Sequence, residues 1–235
     1  DEVIIIDDAS EDDTVMKIRR TIQNFSHVKL IVNPENRGQS YSRNLGVRES
    51  RNEYVIVMDD DDFSYTYRPE IHLKALLNGA DISYVSSLKL YPNGYKIEVR
   101  NSQLTSSSNL KGEIIKHLTI GTPLKSYMKV FSPSCTLAFR KSSFLRINGF
   151  NQDFRRLEDI EFACRALSND LILNWSSEIG LERQCTLGED KSAQANLVGE
   201  IAVLQSVRNY LSFKDYHLAR QMAFLRKYYF EKDYF

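Results

Sequence analysis

Two runs of apolar residues that end in aspartates are the clearest pattern along the chain. Residues 55–58 lead into four consecutive aspartates at 59–62, and residues 3–6 lead into Asp7 and Asp8. Neither run has the alternation of a half-exposed strand, so both predict strands covered on two faces, as in a parallel sheet. Because ligands of open α/β sheets bind beyond the carboxyl ends of the strands, we expect both acidic groups to lie at one such edge.

The other apolar positions alternate between helical and strand spacing. Strands are predicted at residues 28–32, 81–90, 95–99, 134–140 and 171–175, and helices at 15–25, after 38, at 69–79, 110–119 and 157–167, with two more at about 192–211 and 216–229. This order indicates an α/β fold, namely a mixed, mostly parallel sheet flanked by helices, with a small antiparallel hairpin turning at Asn93-Gly94. We expect a domain at residues 1–190 and a C-terminal helical extension at residues 191–235.

The four consecutive carboxylates predict a divalent metal site. Adjacent negative charges repel one another, and a cation offsets that repulsion. Mg²⁺ and Mn²⁺ are oxygen-seeking ions that bind one or two carboxylates together with substrate phosphates. A solvated acidic turn is the alternative explanation for the DDDD stretch taken alone. The second acidic strand end, at Asp7 and Asp8, favours the metal site and a nucleotide diphosphate beside it.

A third acidic feature lies in GFNQDFRRLEDIEFACRAL, residues 149–167. Apolar spacing places Glu158 and Asp159 in the first turn of a helix, where carboxylates also serve as ordinary capping groups. A carboxylate held there over a sugar site would also meet the needs of a general base. Earlier in the chain, Ser40, Arg43 and Asn44 fall near a helix N-terminus suited to an anion or a polar base edge. The alternative is that Ser40 caps the helix and Arg43 is a surface residue.

Composition and charge exclude several other classes of function. The chain has 235 residues, 42% of them apolar, and its 31 basic and 31 acidic residues give no net charge that would favour nucleic acid or anionic lipid. Three scattered cysteines predict neither a disulfide scaffold nor a zinc site. With no apolar run of about 20 residues and no signal-peptide pattern, we expect a cytoplasmic protein. The aromatic, charged tail RKYYFEKDYF is compatible with contact to the inner membrane face or an oligomer, but we expect it to pack against the main domain.

Taken together, the three acidic features resemble the family 2 inverting glycosyltransferases of the GT-A fold, a Rossmann-like architecture. EVIIIDDAS resembles the nucleotide-recognising strand, and NRGQSYSRNLG resembles the N-x-G-x-S-x-x-R-N-x-G segment. VIVMDDDD resembles the strand that ends in a DXD motif, and GF followed by EDIEF resembles the Gly-Phe and Glu-Asp elements. The resemblance covers residues 2–175, and the joint order of these motifs is more specific than any one of them.

The resemblance implies a role for each matching residue. Asp7 or Asp8 would bind the base of a nucleotide, most often uracil, and Arg43 would line the same pocket. Asp59 would approach the ribose or the metal, and Asp61 would coordinate Mg²⁺ or Mn²⁺ bridging the diphosphate. Asp159 would be the catalytic base and Glu158 would position the acceptor. The implied reaction moves a sugar from a nucleotide sugar, most often a UDP-sugar, to a glycan or lipid-linked acceptor with inversion.

The sequence departs from the family pattern at two places. The family begins with a further strand, ending in a Pro-x-Tyr-Asn-like segment, that lies between the two acidic strands. Because its absence would leave two buried strand edges unpaired, we expect the intact protein to have it, from a longer chain or from a partner, unless the sheet is built differently. Many relatives also have a histidine after the Glu-Asp helix, where ERQCTLGEDKS has none. Arg183 and Lys191 are the cations nearby.

Three other functions fit parts of the pattern. A sugar-nucleotide nucleotidyltransferase would share the sheet and the acidic metal site. A phospho-acceptor receiver domain would place Asp7, Asp8 and Asp59 similarly, although receivers are shorter and have a later Lys-Pro element. A catalytically inactive glycan-binding module would retain the fold. Acceptor choice is expected to lie in loops such as residues 104–128, which no local rule decodes.

Overall fold

The computed structural model describes residues 1–124, 127–184 and 192–231, without side chains for residues 230 and 231. The strands are β1 Val3–Asp7, β2 Val28–Val32, β3 Tyr54–Ile56, β4 Phe63–Ser64, β5 Ile82–Leu90, β6 Lys96–Val99, β7 Leu104–Thr105, β8 Leu137–Arg140 and β9 Leu173–Gln184. The helices are α1 Thr14–Ile22, α2 Gln39–Glu49, α3 Arg68–Leu77, α4 Lys111–Ile120, α5 Lys141–Arg146, α6 Glu158–Ser168, α7 Ala193–Ser206 and α8 Phe213–Glu231. Alternating strands and helices confirm the predicted mixed α/β class.

The strands form two separate sheets. β1 and β2 pair in parallel as a two-stranded sheet, and the larger sheet has the order β3-β8-β5-β9-β4. β6 extends it beside β5, and β7 pairs with β9. Among the described strands of the larger sheet, only β5 and β9 pair in parallel. β8 lies between β3 and β5 and is antiparallel to both. The larger sheet therefore has more antiparallel pairs than the apolar runs predicted.

The two acidic strands are less covered than predicted. Val3 is 48% exposed, Ile56 is 37% exposed and Met58 is 55% exposed, and strand β3 ends at Ile56. Within the described part of the chain, β1 pairs only with β2 and β3 pairs only with β8. The prediction of strands buried on both faces is therefore wrong at these positions, where each strand has one unpaired edge among the described residues.

The main core lies between the larger sheet and the helices packed on it. Its largest members are aromatic: Phe139, Phe144, Phe150 and Phe162 stack or tilt against one another, and Tyr84 stacks on Trp175. Leu204, Val207, Leu211 and Ala219 belong to the same cluster. The C-terminal helices α7 and α8 are thus built onto the core of the preceding domain, and the division near residue 190 remains a prediction.

Most predicted elements appear within a few residues of their expected bounds. The hairpin turns where Asn93-Gly94 predicted, with Gly94 at φ +81° and its N–H bonded to the Tyr91 carbonyl at 2.9 Å. The short elements β4, β7 and α5 were not predicted. Tyr228 and Tyr229 are 55% and 43% exposed, and residues 232–235 lie outside the described part, so the packing of the tail stays a prediction. None of the described helices has the length and apolarity required to cross a bilayer.

Candidate functional site

The loop before α2 is fixed by the carboxylate of Asp8. Its Oδ1 accepts hydrogen bonds from Asn33 Nδ2 at 2.7 Å and from the Arg37 N–H at 3.0 Å, and its Oδ2 accepts the Gly38 N–H at 2.7 Å. Burial opposes ionisation, but these bonds outweigh it and lower the pKa of Asp8. Asp7 is buried and accepts the Ser10 N–H at 3.0 Å. The Asp8 carboxylate therefore shapes the loop that leads into α2, and the Asp7 carboxylate holds the turn between β1 and α1.

Arg43 joins the acidic groups of two distant segments. From α2 its Nη2 donates to Asp59 Oδ1 at 2.7 Å and its Nη1 donates to Glu158 Oε1 at 3.1 Å. Its side chain is 13% exposed, so the alternative of a surface residue is wrong. Burial disfavours the charge of Arg43, but Asp59 and then Glu158 and Asp159 raise its pKa. The end of β3, helix α2 and the start of α6 thus converge on one point, as the sequence predicted.

The two carboxylates at the start of α6 differ in their surroundings. Leu157 precedes the helix at φ +62°, and Glu158 is buried while Asp159 retains some exposure. Burial, followed by the charge of Asp159, raises the pKa of Glu158 to about 7, and Arg43 opposes this effect. Burial also raises the pKa of Asp159, whose Oδ1 accepts the Ile160 N–H at 2.8 Å. Glu158 is therefore the carboxylate paired with Arg43, and Asp159 lies beside it in the first turn of α6.

A second cluster lies beside this point. Ligand atoms of Asp59, Asp62 and Cys135 fall within 4.8 Å of one another, which makes them the candidate metal group among the described residues. Asp61 is exposed on the same loop. Burial raises the pKa of Cys135 to about 12, so its thiol is protonated, and its Sγ lies within 4.8 Å of a carboxylate oxygen of Asp62. Asp62 also accepts the Gln184 N–H at 3.2 Å.

The carboxylates on this loop are oxygen ligands of the kind that Mg²⁺ and Mn²⁺ bind. These ions need one or two carboxylates, with phosphate and water completing the shell. Asp59 and Asp61 would supply such oxygens. Asp62 accepts the Gln184 N–H, and this bond ties the loop to the end of β9.

A buried arginine supports this loop from below. Arg68 is 0% exposed, and its Nη2 donates to the carbonyls of Val57 at 2.8 Å and Cys135 at 2.6 Å. Burial lowers its pKa to about 10, against the opposing effect of Cys135, Asp62 and Asp59, so the guanidinium stays charged at neutral pH. It thereby ties the backbone before the aspartates to the segment that carries Cys135. Nothing in the local sequence signalled this role.

Asn44 serves the fold, although sequence reasoning placed it at a ligand site. Its Nδ2 donates to the Phe150 carbonyl and its Oδ1 accepts the Phe150 N–H, both at 2.8 Å. Gly149 has φ +63°, and an added Cβ would lie 2.5 Å from Asn44 Oδ1. This clamp explains the Gly-Phe pair and fixes α2 against the segment before α6. Ser40 is also not the cap, because Gly38 occupies that position and no side chain bonds there.

Arg183 lies in β9, and its positive charge lowers the pKa of Cys135 against the larger effect of burial. Lys191 lies outside the described residues. The structure thus brings Asp59, Arg43, Glu158 and Asp159 together, with Asp8 at the near end of α2.

A family model for glycosyl transferase family 2 matches residues 1–145. The match covers more than half of the chain and includes Asp8, Arg43 and the aspartate loop. This chain belongs to glycosyl transferase family 2. The assignment favours the glycosyltransferase over the nucleotidyltransferase and receiver alternatives.

Relatives and solved structures agree with this family. An uncharacterized glycosyltransferase of Haemophilus influenzae is 29% identical over 167 residues, which are 71% of this chain and 52% of that protein. Another, of Rickettsia conorii, is 31% identical over 123 residues, 52% of this chain and 20% of that protein. S. aureus TarS 1–349 in complex with UDP-GlcNAc superposes with a TM-score of 0.66 at 18% identity, covering 97% of this chain and 64% of that one. At this identity the superposition shows the GT-A fold alone.

The family 2 chain described here spans about half the length of the two Haemophilus influenzae relatives. It also spans less than two thirds of the TarS structure. The family match includes the loop of Asp59 and the helix α2.

Proposed function

We propose that this chain transfers a sugar from a UDP-sugar to a hydroxyl group of a glycan or lipid-linked acceptor, with inversion at the sugar and with Mg²⁺ or Mn²⁺ as cofactor. The observation that carries the proposal is the joining of Asp59 and Glu158 through Arg43 at 2.7 and 3.1 Å. A metal-binding loop and the catalytic helix are thereby held side by side. The UDP-GlcNAc and UDP complexes of TarS support the choice of donor.

In this proposal each residue has a role that follows from its position in the fold. Asp61, with Asp59, would hold the divalent ion, which neutralises charge on the departing diphosphate. Asp7 and Asp8, at the carboxyl end of β1, would face the nucleoside, with Asp8 also fixing the loop before α2 through Arg37 and Gly38. The partial exposure of Asp159 makes it available to a substrate hydroxyl.

Proton transfer would follow from the two carboxylates of α6. Asp159 would take the proton of the acceptor hydroxyl as that oxygen attacks the anomeric carbon from the face opposite the diphosphate. Glu158, held by Arg43, would position the acceptor. Since the attack is in line and displaces the diphosphate directly, the configuration inverts.

We also infer that one further strand lies between β1 and β3. Each of these strands has an unpaired edge within the described part of the chain, and apolar side chains such as Ile56 and Val3 are exposed there. An edge of this kind presents free N–H and C=O groups that favour strand addition. A strand in this place would cover both edges and the space between the two sheets.

The test is release of UDP from a UDP-sugar in the presence of Mn²⁺. We expect release by the wild-type protein and a loss of roughly 10²–10⁴-fold in Asp159→Asn, the range usual for removing a general base. UDP binding, measured by thermal shift, should persist in this variant because the metal and nucleoside residues are unchanged.

Two outcomes would contradict the proposal. Wild-type turnover retained in Asp159→Asn would refute the assignment of the base. Pyrophosphate-dependent formation of nucleoside triphosphate, without UDP release, would replace the transferase by a nucleotidyltransferase.

A further inference from the structure

One face of the larger sheet carries an aromatic and acidic row next to the aspartate loop. Register places Phe63 of β4 opposite Glu182 of β9, Glu182 opposite Leu88 of β5, and Leu88 opposite Glu98 of β6. Residues directly opposite one another project from the same face of a sheet. Four adjacent strands therefore present one surface of mixed polarity, and none of its residues belongs to the donor site proposed above.

Three aromatic rings run along the edge of this surface. The Phe63 and Tyr65 rings are 5.9 Å apart and nearly perpendicular, and the Tyr65 and Tyr67 rings are stacked at 5.4 Å. Phe63 is 62% exposed and Tyr67 is 47% exposed. Phe63 directly follows Asp62, so the row of rings starts at the candidate metal loop and leads away from it.

The rings open onto a groove of about 460 Å³. Its lining consists of Tyr65, Tyr67, Leu88, Glu98, Arg100, Glu178 and Ile179. Two hydroxyl groups are anchored, because Tyr65 donates to Glu182 Oε1 at 2.6 Å and Tyr67 donates to the Ile179 carbonyl at 3.0 Å. Arg100 is held by Glu98 at 2.6 Å. The rings are thus held in place beside polar groups that face solvent, the arrangement expected of a preformed small-molecule site.

We propose that this surface, which we call the aromatic groove, binds a neutral carbohydrate chain, the acceptor of the transfer reaction. A sugar ring offers an apolar C–H face that packs on an aromatic ring and a belt of hydroxyl groups that hydrogen-bonds to carboxylate and guanidinium groups. The inference rests on the proposed function for its link to catalysis. The groove would hold sugar units distant from the reacting hydroxyl, which lies toward Asp159.

Charge selects this occupant over two others. Glu98 and Glu178 outnumber the single cation Arg100 among the described residues that line the groove, so an anionic polymer would be repelled. An acyl chain would leave these charged groups desolvated without hydrogen bonds, which costs free energy. A chain of neutral sugars can pack its C–H faces on the rings and form hydrogen bonds with the charged side chains through its hydroxyl groups.

The test is calorimetric titration with short soluble oligosaccharides of glucose and of N-acetylglucosamine. We expect saturable binding by the wild-type protein and a loss of roughly tenfold or more in Tyr67→Ala, since this substitution removes an exposed ring on which a sugar would pack. Tyr67→Phe keeps the ring and should retain most of the affinity. Tyr228→Ala removes a ring of similar exposure on α8 and should bind as the wild type does.

Each outcome decides for or against the aromatic groove. Absence of binding to every neutral oligosaccharide, equal affinity in Tyr67→Ala and Tyr228→Ala, or preferential binding of dextran sulfate would each overturn the proposal. Thermal shift with UDP and Mn²⁺ on the same proteins reports on the donor site. Normal UDP binding without oligosaccharide binding refutes only the groove, whereas oligosaccharide binding without any UDP response refutes only the proposed donor.

Discussion

The charge of Glu158 is unfavourable in the folded protein because the side chain is buried next to another carboxylate. Burial and then Asp159 raise its pKa to about 7, although Arg43 lies 3.1 Å away. A folded pKa above the unfolded value of 4.5 means that the native state binds the proton more tightly. The stabilisation from this proton is complete below about pH 4.5 and is lost as the pH rises through 7.

Replacement of Glu158 by Gln should therefore flatten the fall of stability with pH. Relative to Glu158→Gln, we expect the wild type to lose up to about 3 kcal/mol of unfolding free energy between mildly acidic and mildly alkaline pH, at about 1.4 kcal/mol per pKa unit. Urea denaturation at both pH values measures the difference. Glu35→Gln is the matched control because that side chain is 74% exposed. An equal effect of Glu158→Gln at both pH values would refute the raised pKa.

The metal assignment distinguishes two neighbouring aspartates. Asp61→Ala should abolish the Mn²⁺-dependent part of the UDP thermal shift and leave the metal-free melting temperature unchanged, because Asp61 is exposed. Asp62→Asn should keep the Mn²⁺ response, since Asp62 is partly buried and accepts the Gln184 N–H. Were Asp62→Asn to lose the response while Asp61→Ala kept it, the ion would belong to the cluster of Asp59, Asp62 and Cys135.

The sequence pattern identified the candidate site residues that carry a charge and occur near the ends of predicted strands and helices. Asp59, Arg43 and Glu158 each lie next to a visible element boundary, and their convergence follows from the order of the elements. The clamp of Asn44 on Phe150 joins residues 106 positions apart, and the cluster of Asp59, Asp62 and Cys135 likewise joins distant parts of the sequence. No local periodicity encodes such pairs, so only the tertiary structure reveals them.

At the scale of elements, α2 is the part on which the site depends. Its Gly46 lies against Ile6 of β1, where a Cβ would be 3.4 Å from the Ile6 side chain, and Asn44 fixes it to Phe150. Apolar spacing does not reveal this helix well because its buried residues include Ser40, Ser42 and Asn44. By contrast, α6 has a clear apolar face, with Ala163, Cys164 and Leu167 buried, and it was predicted from that face.

The C-terminal helices should unfold together with the domain they cover. Leu204 of α7 is 2% exposed and belongs to the main core cluster. Leu204→Ala is expected to cost about 2–5 kcal/mol of unfolding free energy, as is usual for buried leucine. Val198→Ala, at a position 58% exposed on the same helix, should change it by less than about 0.5 kcal/mol. A single urea transition by fluorescence and circular dichroism is expected; a separate early transition for the Leu204→Ala variant would show that α7 and α8 fold independently.

At the scale of the whole molecule, the two sheets are joined through α2 and the loops around it rather than by strand pairing. Asn44 with Phe150 and Arg43 with Asp59 and Glu158 form this link. A two-stranded sheet such as β1–β2 is marginally stable alone and depends on what packs against it. Individual strands of the larger sheet could be predicted from their apolar runs. Their separation from the β1–β2 sheet could not, because an apolar run contains no information on which strand pairs with which.

Hydrogen exchange should therefore divide the molecule into two levels of protection. Amides of β5, where Ile82, Tyr84 and Val85 are at most 1% exposed, should exchange only through global unfolding. Amides of β1 and β2 should exchange through a smaller opening, because β1 has an open edge and Val3 and Val32 are 48% and 39% exposed. Low concentrations of urea should leave exchange in β1 unchanged while accelerating exchange in β5, since only the second opening exposes the main core. Equal protection and equal urea dependence in both sheets would show that the inferred strand is not needed to complete the fold.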